Sequence, residues 1–477
     1  MTSNASYAAG ILGTRRGARV SKAAILFTMC LGVLIAQIDS SVVNLAVKHI
    51  GGDLHAGVSQ LQWVVDSYNL VYATLLLTGG TLGDLYGRTR IFVAGIALIA
   101  AGSLVCAFAP DAGTLIAGRA VTGLGSALEL PASLAILTVT YRDAHARGRA
   151  IGIWASCNGV AMAIGPTVGG FLVDAAGWRS IFFLVVPVTA LALVMALRAV
   201  PESKNPEGRR LDPAGQGLAI LALGALSFVV IEGPHWGWTS PPILALAGVA
   251  VVAAILFAAV EAGRKDAMVP LDVFANRPFN AAITIAGLMT FGMYGMLFLT
   301  PLYLQSIGGL SAFAAGLALL PLSVVFVLVS QLSGALTKRL GARVMMATGM
   351  GLMGSGLLIL ALVAGAEVNM IAIEGALLVI GAGLGFNTGP VNAVAVASLP
   401  RGRSGTASGL VNTTRMVGAT LGVAVLGAVF AVHAGEGSHA GMLTGLRFAY
   451  LGGGIAELAG AVLAVAFIRA DSVQQKA

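Results

Sequence analysis

Charge is what this chain has least of. Asp, Glu, Lys and Arg make up 10% of its 477 residues, against about a quarter in a soluble globular domain. Hydrophobic residues make up 57%, and the mean hydropathy is +0.90. A water-soluble chain is excluded, because too few polar residues exist to cover its surface. Disorder is excluded by the same excess of apolar residues. Sulfur is scarce as well: Cys30, Cys106 and Cys157 each stand in an apolar run with no second cysteine near in sequence, so neither a disulfide framework nor a metal site is expected. The six histidines fall in loops or at the ends of apolar runs, which leaves mid-membrane proton chemistry to carboxylates. There is no nucleophile–base set, metal cluster or phosphate-binding Gly-rich loop after a strand, so neither an enzyme nor a bound cofactor is expected. The 64 glycines carry no Gly-x-y period, which excludes a collagen-like chain.

What the chain has is long apolar runs. A helix needs about 20 apolar residues to cross a bilayer, and fourteen runs qualify, from 22–47 through 59–80 to 443–469. The first follows Arg15, Arg16, Arg19 and Lys22 but shows no small-x-small cleavage site, so it is read as an uncleaved first span. With both termini in the cytoplasm, 23 of the 28 Lys and Arg lie on the inner side; Lys48, Arg179 and Arg447 lie outside, and Arg119 and Arg415 within spans. That asymmetry sets the orientation. It also accounts for the net charge of +8 without a nucleic-acid partner; the bilayer is the partner expected.

The chain repeats itself. Gly80-Thr-Leu-Gly-Asp84-Leu-Tyr-Gly87-Arg88 follows the second span, and Gly334-Ala-Leu-Thr-Lys338-Arg-Leu-Gly341-Ala342 follows the tenth, 254 residues later. The same offset relates Arg147-Gly148-Arg149 to Arg401-Gly402-Arg403, and Asn158 to Asn412. Three coincidences at one offset argue for duplication. The expected organisation is an N-terminal tail (1–21), a six-helix bundle (22–200), a linker with two accessory spans (201–278), a second six-helix bundle (279–469) and a C-terminal tail (470–477). An even number of spans separates the halves, so they are parallel repeats, with substrate expected between them.

These motifs resemble the major facilitator superfamily, in particular its fourteen-span drug:proton antiporters, the group of quaternary ammonium and methylenomycin exporters. The first-loop signature is matched at Gly80, Leu82, Asp84, Gly87 and Arg88, with Leu85 where arginine is usual. The first-span signature is matched at Asp39, Ser41, Val42, Val43, Asn44 and Ala46, and the fourth-span signature at Arg119, Gly123 and Gly125. Gly165, Pro166, Gly169 and Gly170 match the fifth-span antiporter motif. The resemblance implies an all-helical fold of two six-helix bundles plus two inserted helices, fourteen in all. It also implies a monomer of the cytoplasmic membrane that exports a small lipophilic compound, cations among the candidates, with the proton as coupling ion. An exporter or uptake symporter of an endogenous metabolite or lipid, and a non-transporting sensor, are the competing readings. The Ala-, Gly- and Arg-rich composition points to a GC-rich bacterium.

Individual residues carry the expected chemistry. In the loop, Gly80, Asp84, Gly87 and Arg88 make either a tight turn with inward arginines or, as the resemblance implies, a latch in which Asp84 meets the N-terminal end of the helix starting near Ser404. Gly165, Pro166, Gly169 and Gly170 strip side chains from a helix face and bend the span; the resemblance makes them a mark of exchange for protons. A charge at the centre of a span costs about 2.5–3.5 kcal/mol, and Asp39, Asp66, Glu129, Glu374 and Glu457 lie in spans. Asp39 and Asp66 are expected in the outer half, with Gln62, Asp66 and Asn69 on one face of the second span, either walling a wet cavity or capping and pairing at the interface. Arg119 is expected to pair with one of these aspartates, and Asp39, Asp66 and Arg119 are the residues expected to handle the proton, with a packing salt bridge as the alternative for Arg119. Glu129, beside Pro131, serves substrate or coupling ion, or is a hydrogen-bonded structural acid. Arg415, three residues after Asn412, is expected to pair with Glu457, for packing or for transport. Tyr294 and Asn387 are expected to line the cavity, with ordinary packing as the alternative.

Overall fold

Among the described residues, fourteen α-helices account for the fourteen apolar runs. The computed structural model describes residues 21–205, 211–264, 267, 269–400, 403–435 and 438–468; among them there is no strand. The helices are α1 (Lys22–Leu54), α2 (Val58–Tyr86), α3 (Arg88–Ala107), α4 (Ala112–Thr140), α5 (Ala144–Ala176), α6 (Ser180–Ala199), α7 (Pro213–Trp236), α8 (Pro241–Ala262), α9 (Arg277–Ser306), α10 (Ala312–Leu340), α11 (Ala342–Val363), α12 (Met370–Ser398), α13 (Ser404–Ala434) and α14 (His439–Phe467). Helix is the outcome because hydrocarbon offers backbone polar groups no partner but one another. Starts are set by short polar side chains: Asp111, Asp143, Asn276, Ser311, Asn369 and Ser438 each accept a backbone N–H of the helix they precede.

Thirteen helices are long and apolar enough to cross a membrane by length and composition; α2 is the exception. Its apolar runs are broken by Gln62, Asp66, Asn69 and Asp84, all buried. It is tolerated because α4, α13 and α7 enclose it. The chain is a multi-pass membrane protein. Large apolar side chains such as Leu197, Ile255, Leu362 and Ile371 are exposed on the outer faces of the helices that flank the bundle.

The duplication is visible in the elements. α2 and α10 begin at 58 and 312 and end at 86 and 340, a constant offset of 254. Each is followed by a glycine at positive φ, Gly87 at 116° and Gly341 at 83°, which turns the chain straight into the next helix at little steric cost. Helices α1–α6 pack among themselves, as do α9–α14. The two groups meet where α2 lies on α13 and α5 on α10, with α1 touching α9. The accessory helix α7 lies on both α2 and α13, and α8 packs on α7.

Candidate functional site

Asp39 and Arg119 form a buried ion pair. Arg119 Nη1 stands 2.5 Å from Asp39 Oδ2, and the side chains are 1% and 2% exposed. Two further contacts hold the guanidinium: Arg119 Nε donates to Val64 O (3.2 Å), and the cation lies 4.6 Å from the centre of the Tyr68 ring. Tyr68 is itself fixed, its hydroxyl bonded to Ala36 O (3.1 Å) and Ser126 Oγ (2.9 Å). Of the two aspartates open to Arg119, the fold selects Asp39. Asp39 also lies nearer the middle of its helix than the 22–47 span implied, because α1 runs on to Leu54. The extra turns carry Lys48, whose Nζ donates to Gln305 O (2.7 Å).

Gln62, Asp66 and Asn69 do share one face, but that face is a seam and not a wet wall. All three are buried. Gln62 Nε2 donates to Val423 O (3.2 Å) and Ala424 O (3.1 Å) of α13. Asp66 sits beside the hydroxyls of Thr420 on α13 and Ser227 on α7, with neither carboxyl oxygen in hydrogen-bonding geometry. The amide of Asn69 is unpartnered as well. Along the same side, α7 is tied to α2 by Gln216, which bonds Thr78 and donates to Thr74 O (2.9 Å), and by Glu232, which accepts from Trp63 Nε1 (3.0 Å).

Glu129 points away from this seam. Its carboxyl lies against Gly32 of α1 and Phe92 of α3, and its Cβ against Gly95. The corresponding position in the second half is Asn387, buried between α11 and α12 against Gly349, with its amide between Met346 O (3.1 Å) and Met350 N (2.9 Å). Gly95 and Gly349 are 254 residues apart. Both polar groups thus occupy one repeated position inside a half, and Asn387 does not line the cavity. The expected Arg415–Glu457 pair is absent: Glu457 faces Gly292 of α9, whereas Arg415 reaches toward Thr388 O of α12 at 3.4 Å. They sit on sides of α14 and α13 that turn to different neighbours. Tyr294, partly exposed, stands between Ser40 of α1 and Arg415. Asn412 is exposed one turn before Met416, which packs on the Tyr68 and Tyr72 cluster of the other half.

The glycine motif of α5 serves two neighbours where the sequence suggested one. A Cβ on Gly165 or Gly169 would strike Ser41 or Val42 of α1, and one on Gly170 would strike Ala312 O of α10 at 2.3 Å. Reciprocally, Gly316 of α10 meets Pro166 O. Nearby, Asp174 accepts from Ala312 N (3.0 Å) and Phe313 N (2.8 Å), so α5 of one half caps α10 of the other. Gln305 Nε2 adds a bond to Leu45 O (3.0 Å). Sequence reasoning missed Asp174; the signal was an acid just before the helix-ending Gly177, facing a helix start at Ser311. These ties lie toward the end of the bundle that carries the α1–α2 and α9–α10 turns. The opposite end carries the Asp84 loop. There Arg88 donates to Asp84 Oδ1 through Nε (3.0 Å) and Nη2 (2.7 Å). The strand-like segment after α6 clasps the same loop: Glu202 accepts from Thr89 N (3.0 Å) and Arg90 N (3.1 Å), and Arg88 N donates to Ser203 O (2.8 Å). Of the second Arg-Gly-Arg, Arg401 and Gly402 lie outside the described residues.

Two parallel halves, the first of which holds a buried ion pair, are matched by known proteins that make the chain a transporter, not an enzyme. Residues 29–423 match the family model described as Major Facilitator Superfamily. The chain is 38% identical over 401 residues to the multidrug resistance protein Stp of Mycobacterium tuberculosis, covering 84% of this chain and 74% of that one. It is 35% identical over 449 residues to the methylenomycin A resistance protein of Bacillus subtilis, covering 94% and 95%. Among solved structures, it superposes on a peptide transporter POT in complex with sulfate with a TM-score of 0.70 at 16% identity, covering 93% and 94%. It superposes on a D-xylose-proton symporter with a TM-score of 0.66 at 16% identity, covering 94% and 98%. The chain belongs to the Major Facilitator Superfamily.

Proposed function

We propose that this protein is a proton-coupled efflux antiporter that exports small lipophilic compounds across the cytoplasmic membrane by alternating access. The observation that carries the coupling is the Asp39–Arg119 pair, 2.5 Å apart and almost wholly buried. Proton arrival at Asp39 removes the negative partner of Arg119 and frees the guanidinium to reorganise around Tyr68. A buried ion pair is a poor stabiliser compared with apolar packing, and its place beside the seam gives it a use as a switch. The drug-efflux direction is supported by the names of the relatives and by the α5 glycine motif at the seam. The proton is the coupling ion, and one chain supplies both halves of the site.

The positive-inside asymmetry places the Asp84 end in the cytoplasm. With that orientation, the ties made by Asp174, Lys48, Gln305 and Gln62 close the outer side, and the exposed Asn412 belongs to a cleft reached from within. This is the arrangement in which a substrate would load from the cytoplasm. Accumulation of a fluorescent lipophilic dye in bacteria lacking their own exporters tests the proposal. Expression of the protein should lower accumulation, and collapse of the proton gradient should restore it. Lowered accumulation that survives the collapse would refute proton coupling. Raised accumulation would indicate uptake.

A further inference from the structure

The charges within the membrane are unevenly matched. Arg119 has Asp39. Glu129 and Glu457 are enclosed within their own halves, against Gly32 and Gly292, and Asp66 lies in the α2–α13–α7 junction beside Thr420 and Ser227. Among the described residues no carboxylate pairs with Arg415. Among the described residues its contacts are a long bond from Nη2 to Thr388 O (3.4 Å) and the neighbouring Tyr294, and its Nε has no partner. Its carbonyl is engaged by Thr290 Oγ1 (2.6 Å), which pins the helix but leaves the guanidinium uncommitted.

Arg415 stands on α13, the helix that packs on α2 of the other half. The next residue, Met416, packs on Tyr68 and Tyr72. Tyr294 joins Arg415 to Ser40 of α1 and lies within electrostatic reach of Tyr68 and Tyr72. One turn along α9 from Tyr294, Leu297 lines a pocket between the halves with Ser41, Asn44, Met162, Pro166 and Leu319. Around the contact of the halves, the described residues thus offer aromatic and aliphatic side chains, neutral amides and hydroxyls, and in Arg415 a guanidinium without a carboxylate partner. A guanidinium in such a place is matched by a planar anion, to which it offers two parallel N–H donors. A cationic ligand would meet repulsion at that guanidinium; Glu129, within electrostatic reach of Tyr72, has its carboxyl against Gly32 inside the first half.

We propose that Arg415 is the recognition site for the head group of an anionic substrate, a lipophilic monocarboxylate, with Tyr294 beside it and the aromatic and aliphatic walls holding the apolar body. The proposal deepens the efflux reading by naming its substrate class, and it replaces the expectation of a cation. Exchange of one carboxylate for one proton carries two charges inward per cycle, so export would respond to membrane potential, unlike a one-for-one exchange of cation for proton.

The test is equilibrium binding to the full chain in lipid nanodiscs, with a naphthoate, its methyl ester and the naphthyl-trimethylammonium ion as probes, at a pH where the acid is ionised. The naphthoate should bind roughly tenfold or more tightly than the ester, the scale set by one charge-assisted hydrogen bond, and the ammonium probe should bind weakest. Arg415→Gln should abolish the preference for acid over ester while leaving ester binding within about twofold, and Arg415→Lys should retain part of it. Equal binding of acid and ester, or an unchanged preference in Arg415→Gln, overturns the proposal. Should Arg415→Gln fail to fold, the comparison of acid and ester on the unaltered protein decides alone. Vesicle flux separates this proposal from the efflux reading: acid-selective binding with no proton-driven flux of any probe would sink proton-coupled export and leave the anion site standing.

Discussion

Asp39 and Glu129 are both buried acids in helices of the first half, yet their surroundings assign them different work. Asp39 meets the basic side chain of Arg119, which is bonded to α2, the helix that packs on the second half; Glu129 is packed against glycines inside the half, at the position that Asn387 occupies in the second. Asp39→Asn keeps the shape and a hydrogen-bond acceptor but removes the titrating group. Proton-driven efflux from vesicles should fall at least tenfold, with expression and downhill substrate exchange retained; normal driven efflux would eliminate Asp39 as the coupling group. Glu129→Gln should leave driven efflux within about twofold, since the matching amide already serves the same place in the other half, and surface substitutions apart, neutral swaps that keep shape are the mildest core changes. Loss of coupling in Glu129→Gln with a folded protein would move the proton site into the first half's interior.

Glycine faces separate folding from transport among the helices. On α13, a Cβ at Gly418 would lie 2.1 Å from Gly287 O of α9, a contact within one half. On α5, a Cβ at Gly170 would lie 2.3 Å from Ala312 O of α10, a contact between halves. Neither backbone oxygen can step aside without moving its helix. Gly418→Leu should therefore compromise assembly of the second half, at a cost of about 1–3 kcal/mol or more, seen as a lowered melting temperature in detergent. Gly170→Leu should fold normally but hold the outer ends of α5 and α10 apart. Reporter labels on those two ends would show a longer distance, and turnover would drop. An unchanged distance in Gly170→Leu would mean that the close approach is dispensable for closure.

For the whole molecule, the question is what holds one end shut. Asp174 capping α10 from the opposite half is the most direct tie, supported by Lys48 and Gln305. Asp174 is solvent-exposed, so the interaction with a helix N-terminus contributes at most about 1 kcal/mol, equivalent to a shift of up to about fivefold in the ratio of closed to open. Asp174→Ala should shift the population toward the outward-open form by that amount, read from distance distributions between labels on the outer ends of α5 and α10. Asp174→Glu should recover part of it. No shift would leave closure to the apolar packing of α5 on α10.

Much of this molecule was legible in its sequence. Low charge and long apolar runs dictate helices in a membrane, whatever the tertiary arrangement, because the backbone has no other way to satisfy itself in hydrocarbon. The 254-residue offset announced two parallel halves, and Gly87 and Gly341 marked equivalent turns because few other residues accept their φ. Helical periodicity also put Gln62, Asp66 and Asn69 on one face. It could not say what covers that face, and the answer was α13 and α7. The partner of Arg119, the separation of Arg415 from Glu457 and the cap supplied by Asp174 were likewise decided only in the folded chain. Each depends on how one helix is rotated against another far away in sequence. That rotation is set by the summed packing of many small and apolar side chains, which no local pattern encodes.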